Sequence, residues 1–183
     1  YFLQYGKTEG PVDVIRAIAR SNDIYFYRAA EKTGIDKIAE WSGEFQLGKK
    51  LGIDLPQEAK GLVPSKKWKK AELNEDWYTG DSFNLGIGQG YLLTTPLQIN
   101  AMASVFANSD GILYRPHLVK DANTEIKRNF ISKKTRDLVR LGMLGACTNG
   151  GTAYSFFNFV VNNKKIKIDN KDYLPEASES AKL

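Results

Sequence analysis

Residues 12–45 hold three consecutive stretches in which apolar side chains recur at spacings of three and four: VDVIRAIAR (12–20), DIYFYRAAEKTG (23–34) and IDKIAEWSGEF (35–45). That period places the apolar residues on one face of an α-helix, so the start of the chain is committed to helices that need a common surface to bury those faces. Gly34 is a natural stop for the second helix and Gly48 for the third, because glycine enters the left-handed region without a Cβ penalty.

From residue 48 to residue 90 the period is lost. GIDLP (52–56), GLVPS (61–65), DWYTGD (76–81) and GIGQG (86–90) are dense in glycine and proline, and this composition predicts loop with short extended pieces. The helical pattern restarts in TTPLQINAMASVFANSDG (94–111), with Thr95 as N-cap and Pro96 at the first helical position. That helix is apolar on nearly all sides, which predicts burial. ILYRPHLVK (112–120) reads as a strand in which Pro116 marks an edge or bulge. SKKTRDLVRLGMLGACTNGG (132–151) reads as a helix capped by Ser132 and stopped by Asn149-Gly150-Gly151. FFNFVV (156–161) and KKIKID (164–169), joined by Asn162-Asn163, predict a hairpin, and residues 170–183 a polar, loose tail. No internal repeat is present. The order of elements predicts one mixed α/β (α+β) domain, rich in helix.

Composition is compatible with that reading: 42% hydrophobic and 11% aromatic residues in 183 suffice for a sizeable core. The 26 basic and 21 acidic side chains leave a net charge of +5, too mild to require a nucleic-acid partner. The densest cationic run, PSKKWKK (64–70), reads as a solvated loop, with phosphate or lipid headgroups as the alternative partners. A single cysteine, Cys147, excludes an internal disulfide framework and a cysteine-rich metal site. No apolar run approaches the roughly 18 residues that span a bilayer. A chain that opens on Tyr1 reads as an internal piece of a longer protein, so the missing targeting signal carries no address.

Two short elements match signatures of enzymes that acylate a serine with a β-lactam. Ser21-Asn22-Asp23 is a Ser-x-Asn/Asp element; its plain reading is a cap for the helix that follows. Its functional reading is a hydroxyl that relays a proton beside a nucleophile, with a side chain that fixes a substrate amide. Lys32-Thr33-Gly34 is a Lys-Thr-Gly triplet, which in such enzymes lines the site from an edge strand. Here it ends an amphipathic helix, and we read it as a coincidence. GIGQG lacks the Gly-Lys-Ser/Thr ending of a phosphate-binding loop. His117 stands alone between Pro116 and Leu118 and reads as packing or hydrogen bonding. Glu75, Asp76 and Asp81 around Trp77-Tyr78 offer an acid–base pair, with a solvated loop as the plainer reading.

Taken in order, SNDIYFY (21–27), GIDLP (52–56), DWYTGD (76–81), GIGQG (86–90), TTPLQ (94–98) and RPHLVK (115–120) resemble the transpeptidase domain of class B penicillin-binding proteins, in particular the penicillin-binding protein 2 branch, over roughly residues 10–160. The resemblance implies part of a serine transpeptidase fold, the one shared with β-lactamases, and a peptidoglycan D,D-transpeptidase acting through a serine acyl-enzyme. It implies peptidoglycan stem peptides as substrates, β-lactams as acylating inhibitors, a glycan polymerase of the elongation machinery as partner, and no cofactor. It places the parent at the outer face of a bacterial cytoplasmic membrane, held by an anchor. Carried over by residue, Ser21 matches the proton-shuttling serine of the family's second motif. Asp23 matches its third position and would hold the substrate amide, with Asn22 beside it as a substrate contact. Gln89 matches a loop residue bordering the cleft.

The departures are equally specific. None of the ten serines has a lysine three positions on, so the nucleophile-bearing Ser-x-x-Lys is absent from these residues, as is a strand-borne Lys-Thr-Gly. The expectation is a stretch from the middle of a transpeptidase domain that is inactive alone. The alternative is a catalytically silent sensor or scaffold of the same fold.

Overall fold

The computed structural model describes residues 6, 8–120, 124–153, 160–161 and 164–165. It is a helix-rich mixed fold with small antiparallel strand pairs, and the chain divides into two compact units, Tyr1–Tyr25 with Asp137–Leu183, and Phe26–Arg136. Two helices, α2 (Asp23–Thr33) and α7 (Lys133–Ala146), have residues assigned to each unit.

In the first unit, α1 (Val14–Arg20) is started by Asp13, whose carboxylate accepts from the Arg16 N–H at 2.8 Å. Glu9 bridges Arg16 and Arg20 on the next turn, at 3.1 Å each. Ala17 and Ala19 are fully buried. Gly142 of α7 meets Ile18 so closely that a Cβ there would lie 2.7 Å from the Ile18 Cβ, so the missing side chain sets the packing distance. The end of α7 is closed by Thr148, whose hydroxyl donates to the Gly145 carbonyl, and Thr152 N–H donates back to Ala19 at 3.1 Å. Strands β3 (Val160–Val161) and β4 (Lys164–Lys165) pair antiparallel, as the hairpin pattern predicts. The rest of that hairpin and the tail 170–183 lie outside the described residues.

The second unit is built on α6 (Pro96–Ala107), which buries Ala101 and Val105 against Leu51, Leu113 and Ile131. Phe45, at the end of α3 (Ile35–Glu44), packs on Phe106 at 5.8 Å and edge-on to Phe130 at 5.3 Å. Thr95 and Gln98 form a reciprocal capping box with Pro96 at the first turn, the arrangement their sequence predicts.

Four expectations need correction. The segment 48–90 is mainly loop, but its regular pieces are helical rather than extended: it contains α4 (Lys66–Leu73) and α5 (Thr79–Gly86). Ser65 caps α4 by accepting from Trp68 N–H at 3.1 Å, and Asp81 reaches back to the Tyr78 N–H at 2.8 Å to start α5. Nor is PSKKWKK a solvated loop. It forms the first part of α4, Lys69 is 2% exposed, and Lys66 and Lys70 are paired with Asp36 and Asp76. Helix α6 is not buried all round: Ile99 is 42% exposed while the polar Gln98 is fully buried. The predicted strand 112–120 shrinks to β1 (Leu113–Tyr114), paired with β2 (Glu125–Lys127). The chain leaves the ladder at Pro116, and Asp54 holds Leu118 and Val119 instead, its carboxylate accepting from their N–H groups at 2.8 and 2.7 Å.

Candidate active site

The Ser21-Asn22-Asp23 corner joins α1 to α2 in the first unit. Ser21 stands in the left-handed region, φ 51 and ψ 54, a conformation that costs a side-chain-bearing residue about 1–2 kcal/mol. The turn is closed by Ser21 N–H to Ile18 and Asn22 N–H to Ala17, at 3.2 and 2.9 Å. Asn22 then caps α2, its side-chain oxygen accepting from Tyr25 N–H at 2.9 Å. The capping reading therefore holds for Asn22 alone. Ser21 and Asp23 are exposed, and among the described residues neither side chain is engaged in a hydrogen bond or ion pair. The corner presents a hydroxyl and a carboxylate on a backbone fixed from both sides. Burial, reinforced by the Asp13 carboxylate, pushes the Tyr25 phenol up from its usual range.

Lys32-Thr33-Gly34 ends α2, and Gly34 takes φ 79 before α3 begins. Lys32 and Thr33 are helical and Gly34 stops the helix, as the surroundings predict. Gln89 is exposed in the second unit, in the turn after α5, with Gly88 and Gly90 at φ 73 on either side. The predicted site residues thus fall in two units, three at the corner and one in this turn. His117 is engaged locally, its Nδ1 at 2.6 Å from the Val119 carbonyl. Among the described residues no group of three or more His, Cys, Asp or Glu side chains is placed to hold a metal, and no helix is long and apolar enough to cross a membrane.

The sequence reading missed a charged cluster in the second unit. Lys69 Nζ lies 2.7 Å from Asp81 and 3.3 Å from Glu75, with the Tyr78 ring at 4.8 Å and the Tyr91 ring at 5.6 Å. The hydrogen bond to Asp81 holds the Lys69 ammonium above its usual pKa; burial opposes this and the Glu75 contact adds to it. Burial tends to raise the Asp81 carboxyl, but the bonds from Lys69 and the Tyr78 N–H outweigh it and leave Asp81 below the ordinary carboxylate range. Asp81 therefore serves as a counter-ion and helix cap, not as the acid or base of a pair with Asp76. Beside it opens a cavity of about 270 Å³ lined by Pro64, Trp77, Asp81, Asn84, Leu85, Gly90 and Tyr91. The one sequence signal for this cluster is the aspartate three residues after Tyr78, a capping position.

A second feature escaped the sequence. The Gln98 amide nitrogen donates to the carbonyls of Lys49 at 2.7 Å, Lys60 at 3.0 Å and Gln46 at 3.4 Å, while its oxygen accepts from Thr95 N–H at 2.9 Å. One buried amide thus ties both ends of the 46–60 loop to the start of α6.

With this geometry in hand, comparison with known proteins places the chain. The family model described as penicillin binding protein transpeptidase domain matches residues 2–170, and the chain belongs to that family. Within the family it is similar to the peptidoglycan D,D-transpeptidase MrdA of Escherichia coli, 34% identical over 160 residues, which are 81% of this chain and 25% of the relative. Among solved structures, penicillin-binding protein 2 of Helicobacter pylori in complex with MreC matches with a TM-score of 0.74 at 35% identity, covering 81% of this chain and 28% of the other. Penicillin-binding protein 2 of Pseudomonas aeruginosa in complex with WCK 5153 matches with a TM-score of 0.70 at 37% identity, covering 79% and 34%. The chain spans about a quarter of the length of the curated relatives it matches.

Proposed function

We propose that the chain is the part of a penicillin-binding protein 2-like peptidoglycan D,D-transpeptidase that carries the second motif of the active site. The nucleophile is a serine of a Ser-x-x-Lys segment outside these 183 residues. Its hydroxyl attacks the carbonyl of the D-Ala-D-Ala bond, giving up its proton to the neighbouring lysine. The bond breaks, D-Ala leaves with a proton on its amine, and an acyl-ester remains. The amine of a second stem peptide attacks that ester and returns the serine, forming the cross-link. In this scheme Ser21 passes the proton towards the leaving amine, Asp23 fixes the donor peptide's amide, Asn22 holds the corner and contacts the substrate, and Gln89 borders the cleft. A β-lactam acylates the same serine through its strained amide.

The observation that carries this reading is the Ser21 corner: a serine in a backbone position that favours glycine, with its hydroxyl unengaged among the described residues, inside a chain that the transpeptidase family model matches over residues 2–170. Partners on this reading are nascent peptidoglycan and a glycan polymerase of the elongation machinery. The Helicobacter pylori relative's complex with MreC supports a protein partner for a chain of this kind. The parent is anchored at the outer face of the cytoplasmic membrane.

The test uses the full-length protein and two substitutions. Ser21→Gly relieves the left-handed strain and raises stability by about 1 kcal/mol, yet removes the relay. Acylation by a fluorescent penicillin should fall by about 10²–10⁴-fold in both Ser21→Gly and Ser21→Ala. The 183-residue chain alone should take no covalent label. Labelling of Ser21→Gly at the wild-type rate, or stoichiometric labelling of the isolated chain, overturns the proposal.

A further inference from the structure

The cavity beside α4 and α5 has a chemistry that the transpeptidase reading does not use. Both bonds to the Asp81 carboxylate fall on one oxygen: Lys69 Nζ and the Tyr78 N–H each reach Oδ2, at 2.7 and 2.8 Å. Among the described residues Oδ1 accepts nothing, and the Asn84 carboxamide, one turn on along α5, is also unengaged. Both residues line the cavity. The aromatic walls are held by their neighbours. Trp77 Nε1 donates to Ser82 Oγ at 2.9 Å, and the Tyr91 ring packs on Trp68 at 5.3 Å. Gly90 keeps the hollow open, since a Cβ at this position would press on the Asn84 Cβ at 3.2 Å.

Charge decides what such a hollow accepts. Lys69 faces two carboxylates, Asp81 and Glu75, so the trio carries one net negative charge. An anion would meet the free Oδ1 of Asp81 and only the Asn84 amide as donor. A cation would meet a free carboxylate oxygen, an amide carbonyl and aromatic side chains, the set that recognises ammonium groups. The apolar share of the wall, Pro64 and Leu85 with the two rings, suits a short alkyl stem behind the charge.

We propose that this hollow binds a primary alkylammonium group, carried either by a lysine-type side chain or by a free diamine. The ammonium donates to Asp81 Oδ1 and the Asn84 carbonyl, and the stem lies between Trp77 and Tyr91. The inference is independent of the role given to Ser21, because binding is read without any acylation.

Ligand-observed saturation-transfer NMR on the full chain tests it with three probes: Nα-acetyl-lysine amide, 1,5-diaminopentane, and Nα-acetyl-norleucine amide as the uncharged isostere. Either amine should bind in the millimolar range, and norleucine amide at least about fivefold more weakly, with salt weakening the amines only. Binding of the peptide amine alone, or of the diamine alone, assigns the source. Asn84→Leu fills the hollow from an exposed position without breaking a bond, and should reduce amine binding by about tenfold while the fold is kept; Ser21→Ala should leave it unchanged. Asp81→Asn should also lose binding, and Asn84→Leu remains decisive if that variant fails to fold. Three results overturn the proposal: equal binding of norleucine amide, amine binding retained in Asn84→Leu, or no transfer from either amine at concentrations on the order of 10 mM.

Discussion

Replacing Gln98 by methionine keeps the length and apolar bulk of the side chain but removes an amide that makes four hydrogen bonds. The Lys49 and Lys60 carbonyls lose a donor at 2.7 and 3.0 Å, Gln46 loses a longer one at 3.4 Å, and Thr95 N–H loses its acceptor at 2.9 Å. At about 1 kcal/mol for each well-formed bond, and less for the long one, Gln98→Met should cost about 3–4 kcal/mol. For a chain of this size that lowers the unfolding midpoint by roughly 10 °C. Gln98→Glu separates hydrogen bonding from shape. The introduced carboxylate still accepts from Thr95 N–H but confronts three carbonyls with no proton to give, so its folded-state pKa must rise above the unfolded value of about 4.3. The native state then holds more protons than the unfolded one, so the penalty is small at low pH and grows as pH rises from about 4.3 to the folded pKa. Urea unfolding by circular dichroism across this pH range, with amide exchange at residues 46–60, measures both effects. A loss below about 1 kcal/mol in Gln98→Met, or a pH-independent penalty in Gln98→Glu, refutes the idea that this amide staples the loop.

Three other perturbations probe the frame around the site. Lys69→Met leaves Asp81 and Glu75 without their cation. Because Asp81 is held below its ordinary range, the wild-type contribution is present above about pH 3.9 and lost as pH falls through the folded pKa; in the variant that acid-side loss should shrink, as acid titrations of the two unfolding midpoints will show. Asp54→Ala frees the Leu118 and Val119 amides, whose exchange should accelerate by about tenfold. The Val119 and then the Leu118 N–H bonds hold the Asp54 carboxyl low, so the wild-type loop should loosen only as pH falls below about 3.9; unchanged exchange in Asp54→Ala would show that something else anchors it. Gly86→Val places a side chain where a Cβ already lies 2.6 Å from the Ala30 Cβ and 2.9 Å from the Phe26 carbonyl. It should destabilise by about 1–3 kcal/mol, and a neutral result in urea unfolding would contradict the close approach of α5 to α2.

Local order was legible in the residues themselves. Asn22, Thr95 and Ser132 accept from a backbone N–H three residues on, a bond closed within one turn and therefore readable from spacing alone. The same locality exposed Lys32-Thr33-Gly34 as a helix end. Helices α4 and α5 were hidden because their sequences, KKWKKAEL and TGDSFNLG, carry no apolar period. They are held by caps and by one lysine drawn inside to meet carboxylates 6 and 12 positions later.

The sequence by itself thus determined the helices that carry an apolar period, several of their caps and the family to which the chain belongs, because each of these depends on neighbours within a turn or on ordered motifs. Only the tertiary structure decided that Lys69 is buried, that Gln98 rather than Ile99 faces inward, and that Asp54 holds Leu118 and Val119. In each case the deciding partner is a charge or carbonyl that only chain reversal brings near. Burial of a polar group is favourable where such a partner waits and costly where none does, and spacing along the chain does not encode that partner.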